Sequence, residues 1–268
     1  MIHKLQMILK YPSWYLKARN RHGIHSPFLY DFIDKCLYAK TSRHLFTDIE
    51  QERKRLATSR EVIFYSDPGA GPSGSIPAEN KTITRSVAQI TSSSLTSATY
   101  GRLFYRMIRY FNYTKVLEMG TSLGITTSYL AKAGRRVRVV TLEGAEPVAE
   151  KASEVFNNLG LTNIALIRGN FESQLPDVLQ KENTFDMVFL DGDHKGEKVL
   201  KYFDLLVKHI PPAGVVVIDD IRWSSSMNNA WNQIVSHPKV TISLDLYFMG
   251  IVFLNPNLSQ EQIAVRFP

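Results

Sequence analysis

Three aspartates follow two short apolar runs, in positions where they could bind a metal ion together. Asp191 comes directly after the run at 187–190, and Asp219 and Asp220 end the run that begins at 215. If the two runs are neighbouring parallel strands, about 4.8 Å apart, the three carboxylates meet at one edge of the sheet. Like charges that close repel one another unless a cation compensates them. Because a hard divalent cation such as Mg²⁺ takes oxygen ligands, we predict a metal site, with a helix cap as the alternative for Asp219.

A second cluster combines glycines with two glutamates. The segment 118–124 (EMGTSLG) joins a predicted strand to a helix, where glycines let a ligand approach the backbone. Glu143 lies 23 positions after Gly120, where nucleotide-binding folds place a carboxylate on the ribose hydroxyls. Ser122 replaces the middle glycine of a dinucleotide motif, and Glu118 would repel a diphosphate. S-adenosylmethionine fits better because it carries a sulfonium and an ammonium group; the alternative is an ordinary tight turn.

These motifs resemble those of class I S-adenosylmethionine-dependent methyltransferases over residues 115–254. Within that class, the chain is more similar to the metal-dependent O-methyltransferases of the catechol and macrolide-sugar types. This similarity rests on 118–121 (EMGT), on 141–144 (TLEG) and on the acidic strand ends. The whole chain also resembles a bacterial methyltransferase group that shares the segments 21–27 (RHGIHSP), 69–71 (GAG) and 219–224 (DDIRWS).

The resemblance implies a role for each residue around the methyl donor. Glu118 and Gly120 would contact the amino-acid end of the donor, and Ser122 would hydrogen-bond its carboxylate or neighbouring backbone. Glu143 would accept both ribose hydroxyls, and Asn170 would bind the adenine amino group. The other implied donor contacts are Thr121, Thr126, Gly144, Phe171 and Asp191.

The resemblance also implies how the acceptor reacts. Asp191, Asp219 and Asp220 would bind a divalent cation that holds vicinal hydroxyls of the acceptor and lowers their pKa. His194 lies at the offset from Asp191 where the resembled enzymes place a lysine or histidine base, and histidine suits that role near neutral pH. Asp193 is the second candidate base. The alternative for His194 is a surface residue that opens the next helix.

The elements that position these residues alternate from residue 115 onward. Five β-rich runs predict strands at 116–119, 137–142, 164–168, 187–190 and 215–219. Helical patterns follow them at 125–133, 147–159, 175–180, 197–209 and 226–235. This alternation predicts a doubly wound, mostly parallel α/β sheet. Two further runs, 240–246 and 249–254, should pair as an antiparallel hairpin at the sheet edge. We therefore expect a seven-stranded Rossmann-like methyltransferase domain over 111–268.

Residues 1–110 predict a helical N-terminal region. Ser26 followed by Pro27 is typical of a helix start, and Thr47 with Glu50 fits a capping box. Two more helices are expected at 83–95 and 98–110. The segment 66–79 is rich in Gly, Pro and Ser and should be a loop, either a lid over the site or a linker.

The net charge of +7 is concentrated near the N-terminus. Residues 1–60 hold 12 Lys and Arg against 5 Asp and Glu, whereas the rest of the chain holds 20 of each. Such a surface could bind nucleic acid, a phosphorylated acceptor or a membrane face, or could simply be solvated. A single cysteine, Cys36, excludes an internal disulfide. With no signal peptide and no apolar run long enough to span a bilayer, we expect a cytoplasmic protein.

Three interpretations of function follow from these patterns. The favoured one is an O-methyltransferase that uses Mg²⁺ or another divalent cation and acts on a small hydroxylated molecule, such as a diol, catechol or sugar. The second keeps the donor and makes RNA or another polyanion the acceptor, bound by the basic N-terminal region. The third is a non-catalytic ligand-binding protein. The N-terminal helices would line the acceptor pocket or form an oligomer interface, as in a homodimer, and Trp223 is favoured over Trp231 for the pocket wall.

Overall fold

The computed structural model describes residues 2–66 and 82–267 and divides into two compact units. The terminal unit comprises Met1–Ala39 and Glu182–Pro268, and the middle unit comprises Lys40–Lys181. Most of the predicted loop at 66–79, including the shared segment 69–71, lies outside the described residues. The expected boundary near residue 110 stays a prediction.

Ten α-helices and ten strands lie within the described residues. The helices are α1 (Ile2–Lys17), α2 (Pro27–Phe32), α3 (Thr47–Ala57), α4 (Val87–Ser94), α5 (Ala98–Phe111), α6 (Ile125–Ala131), α7 (Glu146–Asn158), α8 (Phe171–Glu182), α9 (Gly196–Leu206) and α10 (Ser225–Val235). The strands are β1 (Val62–Ser66), β2 (Thr82–Ser86), β3 (Lys115–Met119), β4 (Arg138–Glu143), β5 (Ile164–Arg168), β6 (Met187–Leu190), β7 (Val215–Ile218), β8 (Ile242–Asp245), β9 (Gly250–Phe253) and β10 (Glu261–Ala264). Among these helices, none is long and apolar enough to cross a membrane.

The middle unit is built on three parallel strands in the order β3-β4-β5. Every residue of α6 is buried, as expected of a helix that follows the first strand of such a sheet. An apolar cluster that includes Phe46, Tyr129 and Phe156 joins α3, α6 and α7 into one core. The turn between β3 and α6 is thus held in place by the paired strands before it and by the packed helices after it.

The terminal unit carries five strands in the order β10-β8-β9-β7-β6. β6 and β7 are parallel, with Leu190 opposite Ile218 at their carboxyl ends. β9 pairs antiparallel with both β7 and β8, and β10 adds a parallel strand to β8. Completely buried β-branched residues fill β7, which holds the ends of β6 and β7 firmly side by side.

The predicted fold class is confirmed, with corrections to the strand count. The mostly parallel strands, the flanking helices and the antiparallel C-terminal pair are all present. The two units hold eight strands of this type rather than seven, because β10 follows the hairpin. The hairpin of β8 and β9 is therefore not at the edge of the terminal unit's strands.

Serine caps explain where several helices begin. Ser26, Ser86, Ser97 and Ser224 each accept a hydrogen bond from the amide three residues ahead. The predicted start of α2 at Ser26 is thereby confirmed.

The predicted capping box at Thr47 is wrong. The Thr47 hydroxyl instead donates back to the His44 carbonyl, because a 3₁₀ turn (Arg43–Phe46) runs directly into α3. The capping box of this region lies at Ser86 and Gln89, at the start of α4. The antiparallel pair of β1 and β2 was also missed, so residues 1–110 are not purely helical.

Candidate functional site

Glu118 is a completely buried carboxyl group in β3 of the middle unit. Its Oε2 accepts hydrogen bonds from the hydroxyls of Thr127 and Thr141. Its Oε1 has no partner among the described residues. Burial raises the pKa of Glu118 to about 7, although the two threonine hydrogen bonds lower it. An unpaired buried oxygen is costly, so this arrangement is suited to a ligand that supplies a donor.

The turn after β3 is tight and its backbone is bound to β4. The amides of Gly120 and Thr121 both donate to the Leu142 carbonyl, at 3.0 and 3.1 Å. Gly120 and Gly124 have φ angles of 107° and 78°, which side chains rarely adopt. A Cβ on Gly124 would also lie 2.5 Å from the Phe156 ring. The geometry of this tight turn therefore accounts for glycine at both positions.

Ser122 and Glu143 connect the turn after β3 to the end of β4. The Ser122 amide donates to Glu143 Oε2 at 2.8 Å, and the Ala145 amide donates to Oε1 at 2.9 Å. Ser122 itself has a left-handed φ of 49°. Its buried hydroxyl oxygen has no partner among the described residues. The Glu143 carboxylate is thus held by backbone, and the Ser122 hydroxyl is left for a ligand.

The remaining donor-side predictions lie around these two strand ends. Thr121 and Thr126 are buried, and the Thr121 hydroxyl is 2.6 Å from that of Thr141. Asn170 caps α8, because its Oδ1 accepts from the Glu172 amide at 2.8 Å. Phe171 is the half-buried first residue of α8, and Gly144 directly follows β4. The cap gives Asn170 a structural role, and its predicted adenine contact stays a prediction.

The acidic cluster of the terminal unit follows the paired ends of β6 and β7. The Asp219 amide donates to the Leu190 carbonyl at 2.9 Å, which sets Asp191 and Asp219 at the same level. Asp219 Oδ1 accepts from the Asp220 amide at 2.9 Å, and its side chain also hydrogen-bonds that of Asp191. Burial first, and then the Asp220 charge, raise the pKa of Asp219 to about 7. Two carboxyl groups in such contact share a proton in the absence of a cation.

His194 lies between two of these aspartates. Its Nε2 is 4.0 Å from Asp191 Oδ1, and its Nδ1 is 3.7 Å from Asp220 Oδ2. The Trp223 ring lies 6.3 Å away, between centroids. Asp220 has a left-handed φ of 53°. Across the described ranges, no three His, Cys, Asp or Glu side chains already form a group that could hold a metal ion.

Asp193 and Trp231 have structural partners. Asp193 Oδ2 lies 2.7 Å from Lys198 Nζ and accepts from the Tyr202 hydroxyl at 3.1 Å. Trp231 is a core residue, and its ring packs where a Cβ of Gly250 would lie. Sequence reasoning missed Thr127 and Thr141, whose only signal is that a polar residue occupies a buried position of an apolar element.

Comparison with known proteins supports the same region. Residues 117–221 match the family described as Methyltransferase domain. The catechol O-methyltransferase of Mycobacterium tuberculosis is 30% identical over 127 residues, which cover 47% of this chain and 56% of that protein. The tRNA (guanine-N(7)-)-methyltransferase of Mycoplasma mobile is 29% identical over 107 residues, which cover 38% of this chain and 53% of that protein. The chain spans about half the length of the curated relatives it matches.

Solved structures show the same fold. The SAH-bound methyltransferase of Podospora anserina aligns with a TM-score of 0.58 and 16% identity, over 87% of this chain and 99% of that one. The predicted fold and the matched family agree with each other. Residues 117–221 are therefore similar to the methyltransferase domain family, and the described strands and helices have the fold of the solved methyltransferase structures.

Proposed function

We propose that this chain is an S-adenosylmethionine-dependent O-methyltransferase that requires Mg²⁺ or another divalent cation and methylates a hydroxyl of a small diol, catechol-like or sugar acceptor. The observation that carries the proposal is the cluster of Asp191, Asp219 and Asp220 around His194. The relative named as a catechol O-methyltransferase supports the same class of acceptor.

The oxygen ligands that the acidic cluster offers are of the type that a hard cation binds. The cluster offers carboxylate oxygens from two adjacent strand ends, and the pKa of Asp219 is raised to about 7 by burial first and then by the Asp220 charge, both of which a bound cation would oppose. Asp191, Asp219 and Asp220 would hold the cation. When bound, a divalent cation lowers the pKa of an acceptor hydroxyl, and the donor supplies a methyl group already activated on sulfur.

Residues of the middle unit fit the methyl donor. Glu118 Oε1 and the Ser122 hydroxyl are buried polar atoms with no partner in the part of the chain that the structure describes, as a site for an ammonium and a carboxylate would require. Glu143 is fixed by the Ser122 and Ala145 amides, and a carboxylate retains lone pairs for ribose hydroxyls after two such bonds. These residues would bind and orient the donor without moving far.

His194 is our proposed general base. Both of its ring nitrogens face carboxylate oxygens, which orient the imidazole at the acidic cluster. In this role His194 takes the proton of the acceptor hydroxyl as the oxygen reacts. Trp223 would lie beside the acceptor. Asp193 is the second candidate for the general base.

Calorimetric titration tests the proposal. S-adenosylmethionine and Mg²⁺ are titrated separately into the wild type and into Asp219→Ala/Asp220→Ala, with Asp177→Ala/Asp204→Ala, two exposed aspartates, as the matched control. We expect donor binding in all three proteins and loss of Mg²⁺ binding only in the first variant. Absence of donor binding in the wild type would refute the methyltransferase proposal. Donor binding without turnover on any hydroxylated acceptor would favour the non-catalytic interpretation.

RNA methylation is a second candidate, favoured by the tRNA methyltransferase relative and by the basic residues 1–60. If the acceptor is RNA, binding and turnover should fall steeply as the salt concentration rises, because phosphate contacts weaken with salt. Turnover of a neutral small acceptor should depend little on salt. Methyl transfer to RNA and to a diol, each measured between low and moderate salt, separates the two candidates.

A further inference from the structure

The N-terminal helix α1 is anchored to the terminal unit by one face. The Tyr11 and Trp14 rings pack on the Tyr247 ring at 4.9 and 5.1 Å between centroids. The Tyr247 hydroxyl donates to the Met7 carbonyl, and Tyr247 is completely buried. This face of α1 is therefore already occupied by the protein itself.

The opposite face of α1 leaves two large apolar side chains in solvent. Leu9 is 69% exposed and Leu16 is 81% exposed. They lie seven residues apart, about two helical turns, so they share one face. Lys10 and Lys17 follow them and are also exposed. The outer face thus pairs two leucines with two lysines in the same spacing.

The charged residues along the first 30 positions are all basic. The first 30 residues contain five Lys and Arg and no Asp or Glu, since the first acidic residue is Asp31. Lys17 ends α1 and Arg19 follows it, whereas the charge of Arg21 is compensated by Asp34 at 3.4 Å. An anionic surface would complement this charge, and an apolar boundary beneath it would take up the leucines.

We propose that the outer face of α1, defined by Leu9, Lys10, Leu16 and Lys17, docks this protein on an anionic lipid surface. The leucines enter the boundary between headgroups and acyl chains, and the lysines lie at the lipid phosphates. Amphipathic helices of this composition lie in the plane of the interface and do not span the bilayer. This docking does not depend on the proposed chemistry.

Two other occupants fit the outer face less well. Single-stranded RNA binds by stacking bases on aromatic rings, but Tyr11 and Trp14 pack on Tyr247, and the Arg266 guanidinium covers the Tyr15 ring at 4.2 Å. The apolar side chains of the outer face, Leu9 and Leu16, are aliphatic and cannot stack on bases. A second copy docked symmetrically would bring two positively charged helices together, which costs Coulomb energy.

Vesicle flotation tests the docking. The full chain is mixed with vesicles of phosphatidylglycerol and phosphatidylcholine in equal parts, or of phosphatidylcholine alone. We expect at least tenfold stronger partitioning into the anionic vesicles, since each lysine near such a surface contributes a several-fold factor. Lys10→Glu/Lys17→Glu and Leu9→Ser/Leu16→Ser should each lower that partitioning about tenfold or more.

Matched controls separate the outer face from general charge and folding effects. Lys54→Glu/Lys208→Glu makes the same charge change at other exposed positions, and Leu45→Ser/Leu205→Ser removes two other exposed leucines. Both controls should partition within about twofold of the wild type, and circular dichroism should show every variant folded. Equal partitioning into both vesicle types, or equal losses in the controls, would overturn the proposal. Binding of an RNA oligonucleotide that is lost in Lys10→Glu/Lys17→Glu, together with no binding to either vesicle type, would overturn the proposal and assign the face to nucleic acid.

Discussion

The carboxyl groups of the two units are held in opposite ways. In the middle unit, Glu118 accepts from two threonine hydroxyls and Glu143 from two backbone amides. In the terminal unit, Asp219 is held by the Asp220 amide and by another acid, Asp191. The middle-unit glutamates are therefore fixed by neutral donors, whereas the terminal-unit aspartates crowd their charges together.

This difference indicates what each unit needs from a ligand. Hydrogen bonds from hydroxyls and amides fix a carboxylate before any ligand arrives, which limits the reorganisation that donor binding costs. Crowded carboxylates gain most from a cation, because its charge removes both the repulsion and the need for a shared proton. The comparison predicts a preorganised donor side and an acceptor side that a divalent cation completes.

The largest effect is expected at the acceptor side, from His194→Gln. Turnover of any diol that the wild type methylates should fall about 10²–10⁴-fold, since the variant lacks the proposed general base. Donor affinity, measured calorimetrically, should stay within about twofold, because His194 belongs to the terminal-unit cluster. His237→Gln, at a histidine whose ring packs on Phe203, is the matched control and should keep full turnover. Retained turnover in His194→Gln would remove the base assignment and make Asp193→Asn the next variant.

A second prediction tests whether the turn after β3 is as rigid as the comparison requires. Gly124→Ala should lower the free energy of unfolding by about 3 kcal/mol, from a strained φ and overpacking against Phe156. Gly160 has a φ of +62° and open space where a Cβ would lie, so Gly160→Ala should lower the free energy of unfolding by only about 1 kcal/mol. Urea unfolding of both variants gives the difference. Equal losses would mean that the Phe156 ring yields and that the turn is less constrained than its contacts indicate.

A third prediction concerns the pH dependence of stability that Glu118 creates. Its pKa is about 7 in the folded protein against an ordinary 4.5, so between these values the folded state keeps a proton that the unfolded state releases. The stabilisation is full below about pH 4.5 and is lost as the pH rises through 7. From pH 5 to pH 8 this ionisation should lower the free energy of unfolding of the wild type by about 2–3 kcal/mol. Glu118→Gln cannot ionise there, so its free energy of unfolding should not show this part of the decrease.

Urea titrations at several pH values, without donor, measure this difference. The exposed Glu150→Gln is the matched control and should follow the wild-type pH profile. If Glu118→Gln also follows the wild-type profile, the carboxyl group is ionised throughout, and the threonine hydroxyls outweigh its burial.

The sequence predicted the strand ends well because acids and glycines mark them. β5 and β6 begin and end where their apolar runs do, and Asp191 follows β6 as expected. The antiparallel pair of β1 and β2 could not be foreseen, because a long segment rich in Gly, Pro and Ser separates the two strands. In addition, β2 consists mostly of polar residues and lacks the apolar pattern of a buried strand. Pairing across such a segment depends on tertiary contacts that local patterns do not encode.

The residue types of the candidate site could be identified from the sequence, but the environment of each side chain could not. The raised pKa of Glu118 depends on burial and on Thr127 and Thr141, which lie nine and 23 residues away in other elements. The Asn170 cap and the ion pair of Asp193 with Lys198 likewise compete with the ligand roles that the motifs suggested. A motif gives the identity of a group, whereas its partners decide whether the group is held for structure or left for a ligand.

The smallest expected effect is the sharpest test of the preorganised donor side. Ser122→Ala removes a buried hydroxyl that has no partner among the described residues, so stability should be unchanged or slightly higher. Donor affinity should fall about three- to tenfold, the value of one hydrogen bond, while Mg²⁺ affinity stays unchanged. Ser153→Ala removes a hydroxyl that donates to the Ala149 carbonyl at 3.0 Å, and it should leave donor affinity unchanged. If both variants bind the donor like the wild type, the Ser122 hydroxyl serves no ligand, and the proposed donor site then depends on Glu118 Oε1, which has no partner within residues 2–66 and 82–267.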